Sequence, residues 1–380
     1  MARKIFDIDY TCSTTKARGG MLQLPHGTVK TPVFMPIGTL GSIKSLSMDE
    51  MQQLGAQIIL GNTYHLWLQP GLEILQKAEG LHSFNTWRKP ILTDSGGFQA
   101  FSLSKISKFS EEGVRFRVPK NGDTKFLSPE KSMKIQTILG SDIALVLDQA
   151  LAAEVSESQA KKAMERTYRW AKRSKIAFEL LRQQYLHQNL LFGIPQGAQF
   201  THLRKESARL TMELDLPGYS IGGVANGGEP QEIMYSQVLA QTEILEEYKP
   251  RHLLGVGTPK DIVEMVARGI DMFDCVYPTR NARHGSLLVK TSNKSYKKIN
   301  ITSSAFLFDF SPINPNSKLN ILKTYSKAYL CHLFRAKELL AYRLATLHNL
   351  EFYFDLMDQI RKHIENDSFK YWWSEYGIVD

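Results

Sequence analysis

Residues 271–285 read DMFDCVYPTRNARHG. A short apolar run carries a carboxylate, Asp274, at its mouth, and a proline turn leads on to Arg280 and Arg283. Seven other apolar runs end in similarly loaded loops: 33–37 (VFMPI), 56–61 (AQIILG), 91–93 (ILT), 143–147 (IALVL), 191–194 (LFGI), 219–222 (YSIG) and 252–256 (HLLGV). Helical patterns fill most intervals, at 47–54, 71–78, 128–138, 156–186, 201–214, 230–248 and 259–269. Continuous apolar strands alternating with amphipathic helices imply parallel strands buried on both faces. Eight such units predict an α/β fold, a (β/α)8 TIM barrel. A doubly wound open sheet is the runner-up. It usually has a GxGxxG turn after its first strand, and GTLGSIK at 38–44 lacks that spacing.

Several segments depart from the repeat. Residues 1–32 carry turn signals at Arg18-Gly19-Gly20 and His26-Gly27 and read as a β-rich lead-in. Lys120-Asn121-Gly122-Asp123 marks a hairpin inserted after the third strand. A basic stretch, KTSNKSYKK at 290–298, follows the eighth strand, and 325–347 and 351–365 read as two helices. The expected organisation is a catalytic barrel with its lead-in over 1–300 and a small helical C-terminal subdomain over 301–380, packed on the barrel.

The chain has 380 residues, enough to bury a large core. Its 47 Lys and Arg exceed its 38 Asp and Glu, and the net charge of +9 favours a polyanionic partner. Mild basicity also serves solubility, so charge alone does not single out nucleic acid. Cys12, Cys275 and Cys331 are widely spaced and odd in number, which fits a reducing compartment rather than a disulfide framework. No apolar run approaches the ~18 residues of a membrane span, and MARKIFDIDY lacks a signal core. The expectation is a cytoplasmic protein without a membrane partner.

On a barrel of this kind, active sites lie at the C-terminal strand ends. Those ends carry Asn62, Asp94-Ser95-Gly96-Gly97-Phe98-Gln99, Asp148, Gln196-Gly197, Gly222-Gly223, Gly255-Val256-Gly257 and Asp274. One Asp after a strand is commonly a helix cap, and a Gly pair is commonly a tight turn. Three Asp at three strand ends of one barrel point instead to chemistry. One acid can attack an anomeric carbon while another protonates the leaving group and later activates the acceptor. The third, with Gln196 and the backbone at Gly222-Gly223, can read a planar heterocycle through paired donors and acceptors. Phe98 can stack on that ring or belong to the core. Cys275 reads as packing.

The strings GNTYHL (61–66), LTDSGGFQ (92–99), FGIPQGA (192–198), IGGVANGGE (221–229), GVGTP (255–259) and MFDCVYPTRNARHG (272–285) resemble the queuine/archaeosine tRNA-ribosyltransferase family, in its bacterial tRNA-guanine transglycosylase form. The likeness runs from about residue 10 to 360. It implies a (β/α)8 barrel and exchange of guanine at the tRNA wobble position for a 7-deazaguanine. It implies that Asp274 is the nucleophile that forms a covalent ribosyl-enzyme bond and that Asp94 is the general acid/base. Asp148, Gln196, the Gly223 backbone and Phe98 match the base-binding set, and Arg280 and Arg283 match anticodon-loop contacts. The implied partners are a tRNA with a GUN anticodon, a 7-deazaguanine base and a second copy of the chain. An incoming base resolves the intermediate, so no cofactor is implied.

Two departures stand out. The family carries a CxCxxC cluster and a later His that bind zinc. Alignment through SKAYL (326–330) and LHNLEFY (347–353) puts Ser317, Leu319 and Leu322 at the cysteine positions and leaves only His348. Zinc needs four ligands, so no metal is expected. In the base pocket the family's cysteine is Ala150, and its valine falls in the Asn226-Gly227 stretch. The lost bulk favours queuine over the smaller aminomethyl precursor, unless Asn226 refills the space. Two rival readings are a carbohydrate-active glycosidase and a non-catalytic tRNA-binding subunit. Arg280, Arg283 and the lysines of 290–298 argue against the first, and the three retained Asp argue against the second.

Overall fold

A computed structural model describes residues 4–102, 107–151, 154–186, 188–224 and 230–379. Eight strand positions close into one parallel barrel. They are β1 (Val33–Met35, resuming after Pro36 as Ile37–Gly38), β2 (Ile59–Gly61), β3 (Ile91–Thr93), β4 (Ile143–Leu145), β5 (Leu190–Gly193), β6 (Gly218–Ile221), β7 (Arg251–Leu253) and β8 (Met272–Asp274). Each pairs in parallel with its sequence neighbour, and β8 pairs with the Val33–Met35 half of β1. The Ile37–Gly38 half pairs with β2. Pro36 therefore breaks the closing strand: it has no N–H to donate, but its carbonyl still accepts from Leu60 at 3.0 Å. Nearly all β1 to β8 residues are buried, which is why the runs are continuously apolar rather than alternating.

The intervening helices start where the sequence caps them. Ser47 with Glu50, and Ser156 with Gln159, form capping boxes on α1 (Met48–Gln53) and α5 (Glu157–Tyr185). Ser128 and Thr258, each followed by proline, cap α4 (Pro129–Leu139) and α8 (Pro259–Ala267). The other barrel helices are α2 (Leu72–Lys77), α3 (Gly97–Ser102), α6 (Thr201–Met212), α7 (Gln231–Thr242) and α9 (Tyr277–Arg283).

The lead-in is a three-stranded antiparallel sheet (Phe6–Thr11, Arg18–Leu24, Gly27–Thr31). It is pinned to the N-terminal end of the barrel by two carboxylates that precede strands. Arg18 forks onto Asp271, just before β8, with Nε to Oδ1 at 2.9 Å and Nη2 to Oδ2 at 2.6 Å. His26 donates its backbone N–H to Asp142, just before β4, at 2.9 Å. The opposite, C-terminal end of the barrel stays open. The inserted hairpin is present: Val114–Arg117 and Thr124–Leu127 pair antiparallel around the 118–123 turn.

The basic stretch forms the antiparallel hairpin Ser286–Lys290 and Ser295–Asn300. The C-terminal helices differ from the sequence expectation. They are α10 (Lys327–Arg335) and α11 (Leu339–Glu365), so the break lies at 336–338 and not between 347 and 351. Lys337 takes a left-handed φ of 58°, which stops α10 without a Gly or Pro signal. α11 then runs unbroken through His348 and packs on α9, and it shares one apolar core with the barrel. Among the described residues no helix is long and apolar enough to cross a membrane.

Candidate active site

The open end of the barrel holds a cavity of about 380 Å³. Asn62, Asp94, Phe98, Asp148, Gln196, Gly223 and Asp274 all line it, together with Ala150 and Cys275. The sequence-expected residues of the base site and the two acids thus come together. Register explains it, because side chains at the same height of neighbouring parallel strands face one lumen.

Asp94 follows β3 as Asn62 follows β2, and Asn62 Nδ2 donates to its Oδ2. The Thr63 N–H reaches Oδ1 at 2.8 Å and Gln99 Nε2 reaches Oδ2 at 2.8 Å. Burial pushes the Asp94 carboxyl up to about 6, and the charge of Asp274 adds to the rise, against the three donors. A carboxyl in that range can both give and take a proton near neutral pH.

Asp274 ends β8 and is only 6% exposed. His252 Nε2 lies 2.8 Å from its Oδ1, and the Gly255 N–H lies 3.2 Å from the same oxygen. Among the described residues Oδ2 has no protein donor. One oxygen is therefore held and the other is left for a reacting atom. Beside it, burial pushes the Cys275 thiol up to about 12, so Cys275 is no thiolate at neutral pH.

Asp148 accepts from Ser95 Oγ at 2.9 Å and from Gln196 Nε2 at 2.7 Å. Burial raises its carboxyl above the usual range, against those two hydrogen bonds. Gly223 has φ 67°, and a Cβ there would lie 2.5 Å from Gln196 Oε1, so only glycine fits. Phe98, at the start of α3, is 46% exposed at the cavity rim, so it is not a core aromatic. Arg280 and Arg283 occupy the last turn of α9, with Arg280 exposed and Arg283 half-buried. Ala150 is buried in the cavity wall. Asn226 and Gly227 lie outside the described residues.

Three contributors escaped the sequence reading. His252 and Ser220 sit beneath Asp274. Arg204, on α6, is fully buried and clamps the Gly-Gly loop, donating to the Gly222 and Gly223 carbonyls at 2.6 Å each. An arginine on the apolar face of a barrel helix was the available signal, since a buried guanidinium needs acceptors.

The residues at the resembled zinc positions do not fit the ion. Leu322 is buried, and Leu319 packs against the core. Ser317 Oγ is spent on Glu351 Oε2 at 2.7 Å. The same carboxylate takes the Lys318 N–H at 2.6 Å and Asn314 Nδ2 at 3.3 Å. Glu351 thus gathers the 314–318 loop. Among the described residues the buried Nδ1 of His348 has no partner, and burial holds its imidazole down to about 4, hence neutral. Among the described residues one other group, His26, His82 and Asp142, converges at the far end of the barrel. Its carboxylate oxygens already accept from the His26 and Ile91 backbone N–H groups, at 2.9 and 2.8 Å.

A family model described as Queuine tRNA-ribosyltransferase matches residues 12–377. A protein of that name from Neisseria meningitidis serogroup A is 49% identical over 360 residues, covering 95% of this chain and 94% of its own. Its namesake from Francisella tularensis subsp. novicida is 49% identical over 354 residues, covering 93% of each.

Proposed function

The chain belongs to the queuine tRNA-ribosyltransferase family, and on that premise we propose how its residues divide the work of a tRNA-guanine transglycosylase. It is a pentosyltransferase that acts on tRNA. The substrate is a tRNA with a GUN anticodon, whose wobble guanine is splayed from the loop at low cost. Asp148, Gln196 and the Gly223 backbone read the guanine edge, and Phe98 stacks on its face. Asp274 Oδ2 attacks C1′ of the ribose. The C1′–N9 bond breaks, its electron pair goes to the base, and protonated Asp94 supplies the proton. A 7-deazaguanine then enters, gives its N9 proton to Asp94 and displaces Oδ2, with net retention at the ribose. Arg280 and Arg283 hold anticodon-loop phosphates, and two copies of the chain form the working unit.

The observation that carries this reading is the asymmetry of Asp274: Oδ1 is held by His252 and Gly255, while among the described residues Oδ2, on the cavity wall, has no protein donor. The incoming base is queuine. Ala150 supports this, because a small side chain in the cavity wall leaves room beside the position-seven substituent. Incubation with radiolabelled guanine and a GUN tRNA tests the reading: label should enter the RNA, and no incorporation under any condition would contradict it.

A further inference from the structure

Ser220, His252 and Asp274 form a buried chain across three neighbouring strands. Ser220 on β6 and His252 on β7 are direct register partners. His252 is the partner of Met272, two residues before Asp274 on β8. Residues two apart on a strand share a face, so all three side chains point into the barrel. Both Ser220 and His252 are fully buried. His252 Nδ1 lies 3.0 Å from Ser220 Oγ, and Nε2 lies 2.8 Å from Asp274 Oδ1.

Resting on the reading of Asp274 as nucleophile, we propose that His252 is its positioning residue, and that Ser220 sets the imidazole tautomer that makes this possible. A neutral imidazole has one N–H and one lone pair. The Ser220 hydroxyl donates to Nδ1, which leaves the proton on Nε2, aimed at Asp274. The opposite tautomer would set a lone pair against a carboxylate oxygen. With Oδ1 fixed, the carboxylate has one rotamer, and Oδ2 alone faces the ribose.

The hydrogen bond does different work in the two half-reactions: in the first it orients the carboxylate, and in the second it also meets returning charge. As the Oδ2–C1′ bond forms and C1′–N9 breaks, Oδ1 becomes the ester carbonyl and keeps its donor. When N9 of the incoming base attacks C1′, the Oδ2–C1′ pair returns to the carboxylate. The regained charge spreads onto Oδ1, where the His252 N–H meets it. A donor whose partner gains charge along the reaction assists that step.

The test compares His252→Leu, His252→Gln, Ser220→Ala and Asp274→Asn as purified full-length proteins, with thermal unfolding of each. His252→Leu should lower kcat by about tenfold to a hundredfold, the worth of a hydrogen bond to a charged group. Its KM for tRNA should stay within about twofold, since the contact acts on the reacting carboxylate and not on RNA binding. His252→Gln, which can offer an amide N–H at the same reach, should recover most of the loss. Ser220→Ala, which frees the tautomer but leaves the imidazole, should fall between. Wild-type kcat in His252→Leu, or equal impairment in His252→Gln and His252→Leu, overturns the proposal. If the His252 variants do not fold, wild-type kcat in Ser220→Ala overturns it alone. The nucleophile reading stands or falls separately: it fails if Asp274→Asn still exchanges base or still forms the covalent adduct.

Discussion

Asp94 and Asp274 face one cavity from β3 and β8, and the charge of Asp274 bears on the proton affinity of Asp94. Burial lifts the Asp94 carboxyl to about 6, and the charge of Asp274 adds to that lift. The two half-reactions ask opposite things of Asp94. Leaving-group protonation needs its acid form, so the rate of adduct formation should fall as pH rises through about 6. Resolution needs the carboxylate, so its rate should fall as pH drops. Once Asp274 is an ester its charge is gone, and the second midpoint should lie below the first. Single-turnover kinetics of each step would show this; two profiles of the same sign would contradict it.

Glu351 binds Ser317, Lys318 and Asn314 in the loop that holds the resembled zinc positions. Glu351→Ala leaves the buried Ser317 hydroxyl without its acceptor and should cost about 1–3 kcal/mol of stability. Thermal unfolding would measure the loss. Wild-type protein should unfold at the same temperature with and without a chelator, and stoichiometric zinc in the purified protein would refute the account.

Binding of tRNA should weaken steeply with salt. Removing one phosphate-contacting side chain, as in Arg280→Ala, should reduce the log–log slope by ~0.7–0.9. Lys297 and Lys298 stand exposed on the second strand of the 286–300 hairpin, and their double alanine variant tests whether that hairpin touches RNA. An unchanged slope would mean that it does not.

Restoring bulk to the cavity wall should discriminate between incoming bases. Ala150→Cys should lower kcat/KM for queuine by about tenfold, the scale of a modest steric clash, and spare the aminomethyl base. Competition between the two bases on one tRNA would read this out. A wild-type preference for the aminomethyl base by more than about tenfold would end the queuine reading.

What was legible in the sequence follows from physics that is local to it. Strands buried on both faces leave unbroken apolar runs, so all eight barrel positions could be read, and the ends of those runs located Asp94, Asp148, Gln196 and Asp274. What was not legible depends on register or on an unmarked backbone turn. His252 opens an ordinary apolar run, and nothing in HLLGV says that its ring meets a carboxylate on the next strand. Arg204 lies on the buried face of its helix, but the sequence does not say that its acceptors are the Gly222 and Gly223 carbonyls. The stop at Lys337 carries no glycine, so the helical pattern in the sequence runs on through it.

The central claim is that Asp274 forms the covalent bond to ribose. Its most direct test is a denaturing gel of enzyme trapped with tRNA, comparing wild type with Asp274→Asn. The amide cannot attack C1′, so the wild type should give a shifted protein–RNA band and the variant none, with RNA binding retained. A shifted band from Asp274→Asn would contradict the account.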